Sequence, residues 1–136
     1  MEAIAKLRNV TMSARKMRMV ADLIRGNDVE SALNTLKYTK REAATWIEKL
    51  LYSAIANWEY KTEGTAEADD HDLFIHRIWV DEGSMLKRFR PAPHGRAHRI
   101  RKRTCHVTLI VDNRIPLESE LEPEMVEETV EVNNED

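Results

Sequence analysis

Residues 73–111 read LFIHRIWVDEGSMLKRFRPAPHGRAHRIRKRTCHVTLIV, two strand-forming stretches separated by a basic segment that has no means of making a core. The first stretch, 73–82, is dense in β-branched and aromatic side chains. The last returns to that chemistry with Thr104, Val107, Thr108, Ile110 and Val111, so both are predicted strands. Residues 83–105 between them hold no acidic residue and eight strong bases: Lys87, Arg88, Arg90, Arg96, Arg99, Arg101, Lys102 and Arg103. Pro91, Pro93 and Gly95 bar a continuous helix and mark a reversal at about residues 90–95. The simplest geometry is two extended arms of about ten residues, reaching roughly 30 Å beyond the sheet at about 3.3 Å per residue. Two strands alone are marginal in water, and like charges along both arms repel. The segment is therefore expected to be ordered by a partner that neutralises it, and a phosphate backbone would do so.

Upstream, Ala3, Ala5 and Leu7 alternate with Ile4, Lys6 and Arg8, which predicts an edge strand. Ser13 offers a helix N-cap, Met17, Val20, Ala21 and Ile24 recur at helical spacing, and Gly26 supplies a stop, giving a helix over 14–25 whose other face carries Arg15, Lys16 and Arg18. A second short helix follows Asn27 and Asp28, with Val29, Ala32, Leu33 and Leu36 as its stripe. The third is predicted at about 40–60: Thr39 and Glu42 stand at capping-box spacing, and Ala43, Ile47, Leu50, Leu51, Ala54, Ile55 and Trp58 form one apolar stripe. Residues 61–72, polar and containing Gly64, read as a loop.

The chain's 136 residues fit one domain. Its net charge of −3 conceals two opposite ends. Residues 112–136 hold ten acidic residues against one basic, a net of −9, which leaves +6 on residues 1–111. That asymmetry points to a polyanion-binding body, residues 1–112, with its hairpin at about 82–105, and an acidic tail, 113–136, expected to be disordered. The tail reads as a solvating extension before it reads as a shield for the basic hairpin. A single cysteine, Cys105, excludes an internal disulfide and suits a reducing cytoplasm. The N-terminal MEAIAKLRNV lacks a signal peptide's apolar run, and no stretch approaches a membrane span.

Several residues suggest sharper chemistry and do not sustain it. His94 and His98 stand four apart like a zinc pair, but that geometry needs a helix and no carboxylate lies between Gly83 and Val111 to complete it. Cys105 and His106 are adjacent in a strand, so they point to opposite faces and cannot form a thiol dyad. Asp81 and Glu82 lack a pocket and a nucleophile and read as the end of a strand at the hairpin base. No cofactor, metal or catalytic set is expected. With only Phe89 as a stacking ring in the hairpin, RNA would be held through phosphate, 2′-hydroxyl and shape contacts.

Three blocks, SARKMRMVADLIRG at 13–26, KLLYSAIANWE at 49–59 and VDEGSMLKRFRPAPHGRAHRIRKRTCHVTLIV at 80–111, closely resemble the bacterial large-subunit ribosomal protein twenty-two family over roughly residues 2–112. The resemblance implies an α+β fold, three helices packed on a small antiparallel sheet with a long projecting β-hairpin. It also implies a cytoplasmic structural protein of the large subunit that binds 23S ribosomal RNA, takes part in early assembly beside neighbouring ribosomal proteins, and sends its hairpin along the nascent-peptide exit tunnel. Lys87, Arg88, Gly95, Arg96, Arg99, Lys102, Arg103 and His106 match the family's hairpin pattern, and Ser13, Lys16, Arg18 and Arg25 its first-helix pattern. Arg15, His98 and Arg101 join these as candidate RNA contacts. Phe89, Arg90, Pro91, Ala92, Pro93, His94 and Gly95 are the expected tunnel-lining tip. Ala92 and Pro93 depart from the pattern of many members, as does the acidic extension. A free RNA chaperone or regulator is the alternative reading.

Overall fold

The computed structural model describes residues 1–62 and 71–116. The greater part of the expected loop at 61–72 and residues 117–136 of the acidic tail thus lie outside the described residues. The elements run β1 (Ala3–Val10), α1 (Ala14–Ile24), α2 (Val29–Tyr38), α3 (Glu42–Lys61), β2 (Leu73–Pro91), a single 3-10 turn (Pro93–Gly95) and β3 (Ala97–Asn113). The strands form one antiparallel sheet in the order β1, β3, β2, and the three helices cover one of its faces. This is the α+β arrangement expected.

Alternation explains the layering. In β3, Cys105, Val107, Leu109 and Val111 are fully buried; beside them lie Ala3 and Ala5 of β1 and Ile78 and Val80 of β2. Against this face pack the α1 stripe Met17, Val20, Ala21 and Ile24 and the α3 stripe Ile47, Leu51, Ala54 and Trp58, all buried. Leu33 and Ile55 are only partly buried at the margin. The spacings of three and four residues in each helix set these contacts.

The long projecting hairpin is present as expected: the strands predicted at 73–82 and 104–111 run without a break into its arms, because backbone pairing persists after apolar alternation ends. Details at the strand and helix ends differ from expectation. Asp81 and Glu82 accordingly lie inside β2. The Thr39–Glu42 capping box does not form. Arg41 is the N-cap of α3, while Thr39 closes α2, its hydroxyl donating to the Thr35 carbonyl at 2.7 Å. Ser13 does occupy the α1 N-cap, but through its carbonyl, which accepts from the Lys16 and Met17 amides, and not through its hydroxyl.

The helical layer donates hydrogen bonds to the β2 edge of the sheet and to the start of the β1 edge. On the β1 side Asn57 donates to the Ile4 carbonyl (3.0 Å), Lys61 to that of Glu2 (2.7 Å) and the Trp58 indole to that of Met1 (3.2 Å). On the β2 side Arg18 donates Nε and Nη2 to the Val80 carbonyl (3.2 and 3.0 Å) and Arg25 donates to Ile78 (3.3 Å). Gly26, left-handed at φ 77°, turns its amide onto the Ile75 carbonyl, and Ile75 answers to Asn27. Unpaired strand edges invite pairing with other chains, so covering them favours a single folded species.

Arg18 and its neighbour Arg15 should therefore separate in stability. Arg18→Ala strips a charged donor from a buried strand's carbonyl and is expected to lower the unfolding free energy by about 1–2 kcal/mol. Arg15→Ala should stay within about 0.5 kcal/mol of the parent. Urea unfolding followed by circular dichroism makes the comparison, and equal midpoints for the two variants would contradict the edge-closing role.

Candidate nucleic-acid interface

The register of the hairpin decides which side chains share a face. Met85 pairs with Arg103, Lys87 with Arg101, Phe89 with Arg99 and Pro91 with Ala97 on one face; Leu86 pairs with Lys102, Arg88 with Ile100 and Arg90 with His98 on the other. Directly opposed residues in an antiparallel pair lie closest, so the pairing mostly sets a cation against an apolar partner. Lys87 and Arg101 are the one directly opposed pair of strong bases. The repulsion expected from composition is thus reduced by register, and both faces remain cationic.

None of the eight hairpin cations has an ion-pair partner among the described residues; the ion pairs of the body involve the Met1 amino terminus, Arg25, His76, Arg77 and Arg114. Among the described residues the hairpin cations' side chains make one hydrogen bond, Arg88 donating to the Lys87 carbonyl at 2.9 Å. Phe89 stands 71% exposed and Leu86 and Met85 are also exposed, apolar surface that a protein standing alone gains nothing from presenting. At the tip the Ala92 amide donates to the Arg96 carbonyl at 2.8 Å, and both His94 (φ 62°) and Gly95 (φ 68°) are left-handed. The left-handed conformation is cheap for Gly95 and costs His94 about 1 kcal/mol or more.

At its base the hairpin meets α1 across an open groove of about 830 Å³. Met12, Met19 and Leu86 supply apolar lining, while Ser13, Lys16, Arg41, Arg101, Lys102 and Arg103 bring polar and cationic groups. Ribose and base surfaces fit such a lining and phosphates fit its cations. Ser13, Lys16 and the Arg101–Arg103 cations, far apart in sequence, are thereby brought together. Arg15 and Arg18 line an adjoining depression with Arg103 and Met85. Arg41 was not among the sequence candidates; only the approach of the α3 start to Met19 of α1, which its guanidinium touches at 3.4 Å, places it here.

Other candidates lie elsewhere. Arg25 is joined to Asp22 (2.8 Å) and to the β2 edge. His106 is on the outer sheet face, where its Nδ1 accepts from the Asn9 amide at 3.0 Å. His98 is exposed opposite Arg90 on the hairpin. Cys105 faces the helices, and burial pushes its thiol up, Arg18 pulling weakly the other way, so it stays protonated and inert beside its strand neighbour. Among the described residues no three His, Cys, Asp or Glu side chains group as a metal site, and no helix is long and apolar enough to cross a membrane.

Comparison with known proteins agrees with this architecture. The family model described as ribosomal protein L22p/L17e matches residues 5–112. A large ribosomal subunit protein uL22 from Christiangramia forsetii is 60% identical over 109 residues, covering 80% of this chain and 80% of its own. Proteins of the same name from Bacteroides fragilis strain YCH46 (59% over 110 residues, 81% and 79% covered) and Porphyromonas gingivalis strain ATCC 33277 (59% over 108, 79% and 79%) are similarly alike.

Gly83 sits at the bulge where the ribbon leaves the sheet, and a Cβ there would collide with Thr104 Oγ1 and come within 3.2 Å of His106 Nε2. Thr104 in turn donates to the Ser84 carbonyl at 2.6 Å. Gly83→Ala is expected to destabilise by about 1–3 kcal/mol through overpacking, and removing the hydroxyl with Thr104→Ala should recover part of that loss in the double variant. Strict additivity in a double-mutant cycle would show that the close approach does not constrain the hairpin base.

Proposed function

The chain belongs to the ribosomal protein L22p/L17e family, as a structural large-subunit protein and not an enzyme, and from that premise we propose how it works: it binds 23S ribosomal RNA, aids early assembly of the subunit, and extends its hairpin along the nascent-peptide exit tunnel. The observation that carries this is the cation set on both faces of the ribbon, without ion-pair partners among the described residues. A ribbon lying on a surface needs charge on one face. Cations on both faces suit a ribbon embedded between walls of phosphate, where each arm is neutralised from two sides.

The roles divide by position. Residues 1–112 act as the RNA-binding unit. Lys16, Arg101, Lys102 and Arg103 hold RNA at the groove, with Ser13 and Arg15 beside it, and Lys87, Arg88, Arg96, His98 and Arg99 follow phosphates along the arms. Arg18, Arg25 and His106 present to RNA only what their bonds within the protein leave available. The tip, Phe89 to Gly95, borders the passage taken by the nascent peptide; its prolines and left-handed pair make a narrow end with a fixed outline. Neighbouring large-subunit proteins meet the helical body, and the place of work is the cytoplasmic ribosome.

Phosphate-dominated binding has a measurable signature. If about six to ten phosphates are neutralised, affinity for 23S ribosomal RNA should fall by about 10³ to 10⁵ between roughly 50 and 200 mM salt. A filter-binding titration at several salt concentrations gives the slope. A flat response would overturn the proposal that the paired-strand cations carry the interaction.

A further inference from the structure

The face of the sheet turned away from the helices carries its own constellation, apart from the hairpin and its groove. In one cross-strand row Lys6 of β1, Thr108 of β3 and Trp79 of β2 lie side by side. In the next, His106 and Asp81 are paired, with Arg8 and Asn9 of the β1 bulge beside them. Together they line a shallow depression of about 620 Å³. Thr108 is small and buried and forms its floor. Strands spaced about 4.8 Å apart put the Lys6 and Trp79 backbones about 10 Å apart across it.

We propose that this depression holds one unpaired nucleotide of RNA, its base stacked on the Trp79 indole and its phosphate held by Lys6 and Arg8. The inference rests on the RNA-binding reading above and adds to it a second, base-stacking contact on the opposite face. Trp79 is 41% exposed, whereas Trp58 is fully buried. Its indole N–H donates to Asp81 Oδ2 at 3.1 Å, which ties down the polar end of the ring and spends that carboxylate. Among the described residues no other aromatic ring is stacked on it. A half-exposed, pinned indole is a stacking platform for any base.

Charge complementarity orients the nucleotide. On the β1 side Lys6 and Arg8 have no ion-pair partner among the described residues, and on the β2 side stands Asp81. Arg77, one row away, is joined to Glu2 at 3.5 Å. The depression is therefore positive at one rim and aromatic with a carboxylate at the other, which places phosphate toward β1 and base toward β2. His106, fixed by the Asn9 amide, walls the end nearest the hairpin. A protein partner would also value an exposed tryptophan, but nothing in the depression offers it apolar surface beyond the indole, and the two unpaired cations answer a phosphate.

The test uses the full chain and two probes of equal length, octa-adenylate RNA and an octamer of abasic ribose phosphate. Both offer the hairpin the same phosphates, and only the first offers bases. The parent protein should prefer octa-adenylate by about tenfold, a stacking contribution. Trp79→Ala should erase most of that preference, and Trp79→Phe should keep most of it. Lys6→Ala with Arg8→Ala should weaken both probes and reduce the salt slope by about two. If Trp79→Ala lowers stability, Trp79→Leu decides, since it keeps apolar bulk without a ring: loss of the preference supports stacking and retention overturns it. Equal affinity of the parent for both probes overturns the inference and leaves phosphate binding standing, whereas binding to neither brings down the RNA-binding reading together with this one. A preference that survives Trp79→Ala, with Trp79 needed only for contact with another ribosomal protein, likewise overturns it.

Discussion

Pairing between β2 and β3 runs from Leu73 opposite Asn113 to Pro91 opposite Ala97, and along that length the same two strands pass from a buried environment to a fully solvated one. Up to about Cys105 each β3 residue is held on one side by β2 and on the other by β1, and its inward side chains meet the helices. Beyond Cys105 there is, among the described residues, no third strand, and α1 meets the arms only across the open groove at their base. The direction and twist of the projecting arm are therefore set inside the core, by strands that cannot slip register without turning Val107, Leu109 and Val111 out of it. A long basic ribbon needs such an anchor, since two strands of this composition have no stability of their own.

The cations divide into two populations with different work. Arg18 and Arg25 are spent on carbonyls of the β2 edge, and Asn57 and Lys61 do the equivalent on β1. With these bonds made from the helical side, the outer face of the sheet and its hairpin remain as surfaces open to binding. On the hairpin the opposite holds: Lys87, Arg99, Arg101 and their neighbours have no ion-pair partner among the described residues and face water on both sides of the ribbon. Setting Arg103 against Met85, Lys102 against Leu86, Arg99 against Phe89 and Arg88 against Ile100 limits self-repulsion while keeping charge dense. The protein is thus made stable where it is packed and left short of counter-charge on the hairpin, where the proposed RNA would supply it.

Much of this was legible in the sequence, for identifiable reasons. The stripes Met17–Val20–Ala21–Ile24 and Ile47–Leu51–Ala54–Trp58 are buried as their spacing requires, since helical periodicity is a local property. The basic hairpin and its reversal could be read because prolines, Gly95 and the lack of acids act locally too; that His94 shares the left-handed turn could not, as histidine carries little turn signal. Apolar alternation ends where the arms leave the core, since it reports burial and the arms are paired without being buried; their extended form was legible from the turn signals between them. Thr39 was misread because its capping signal fits the end of α2 as well as the start of α3. The roles of Arg18, Arg25 and Arg41 depend on strand order and on helix packing, which no local pattern contains.

On the function proposed above, the core holds the hairpin's base while RNA supplies the hairpin's order. Amide hydrogen exchange on the protein alone and bound to 23S ribosomal RNA tests it most directly. In the free protein the amides of Ile47–Trp58 and Val107–Val111 should be strongly protected, and those of residues 86–90 and 98–103 should exchange nearly as fast as unstructured chain, since a ribbon open on both edges opens locally at little cost. On binding RNA the hairpin amides should become protected while the core changes little. A hairpin equally protected with and without RNA would contradict the account.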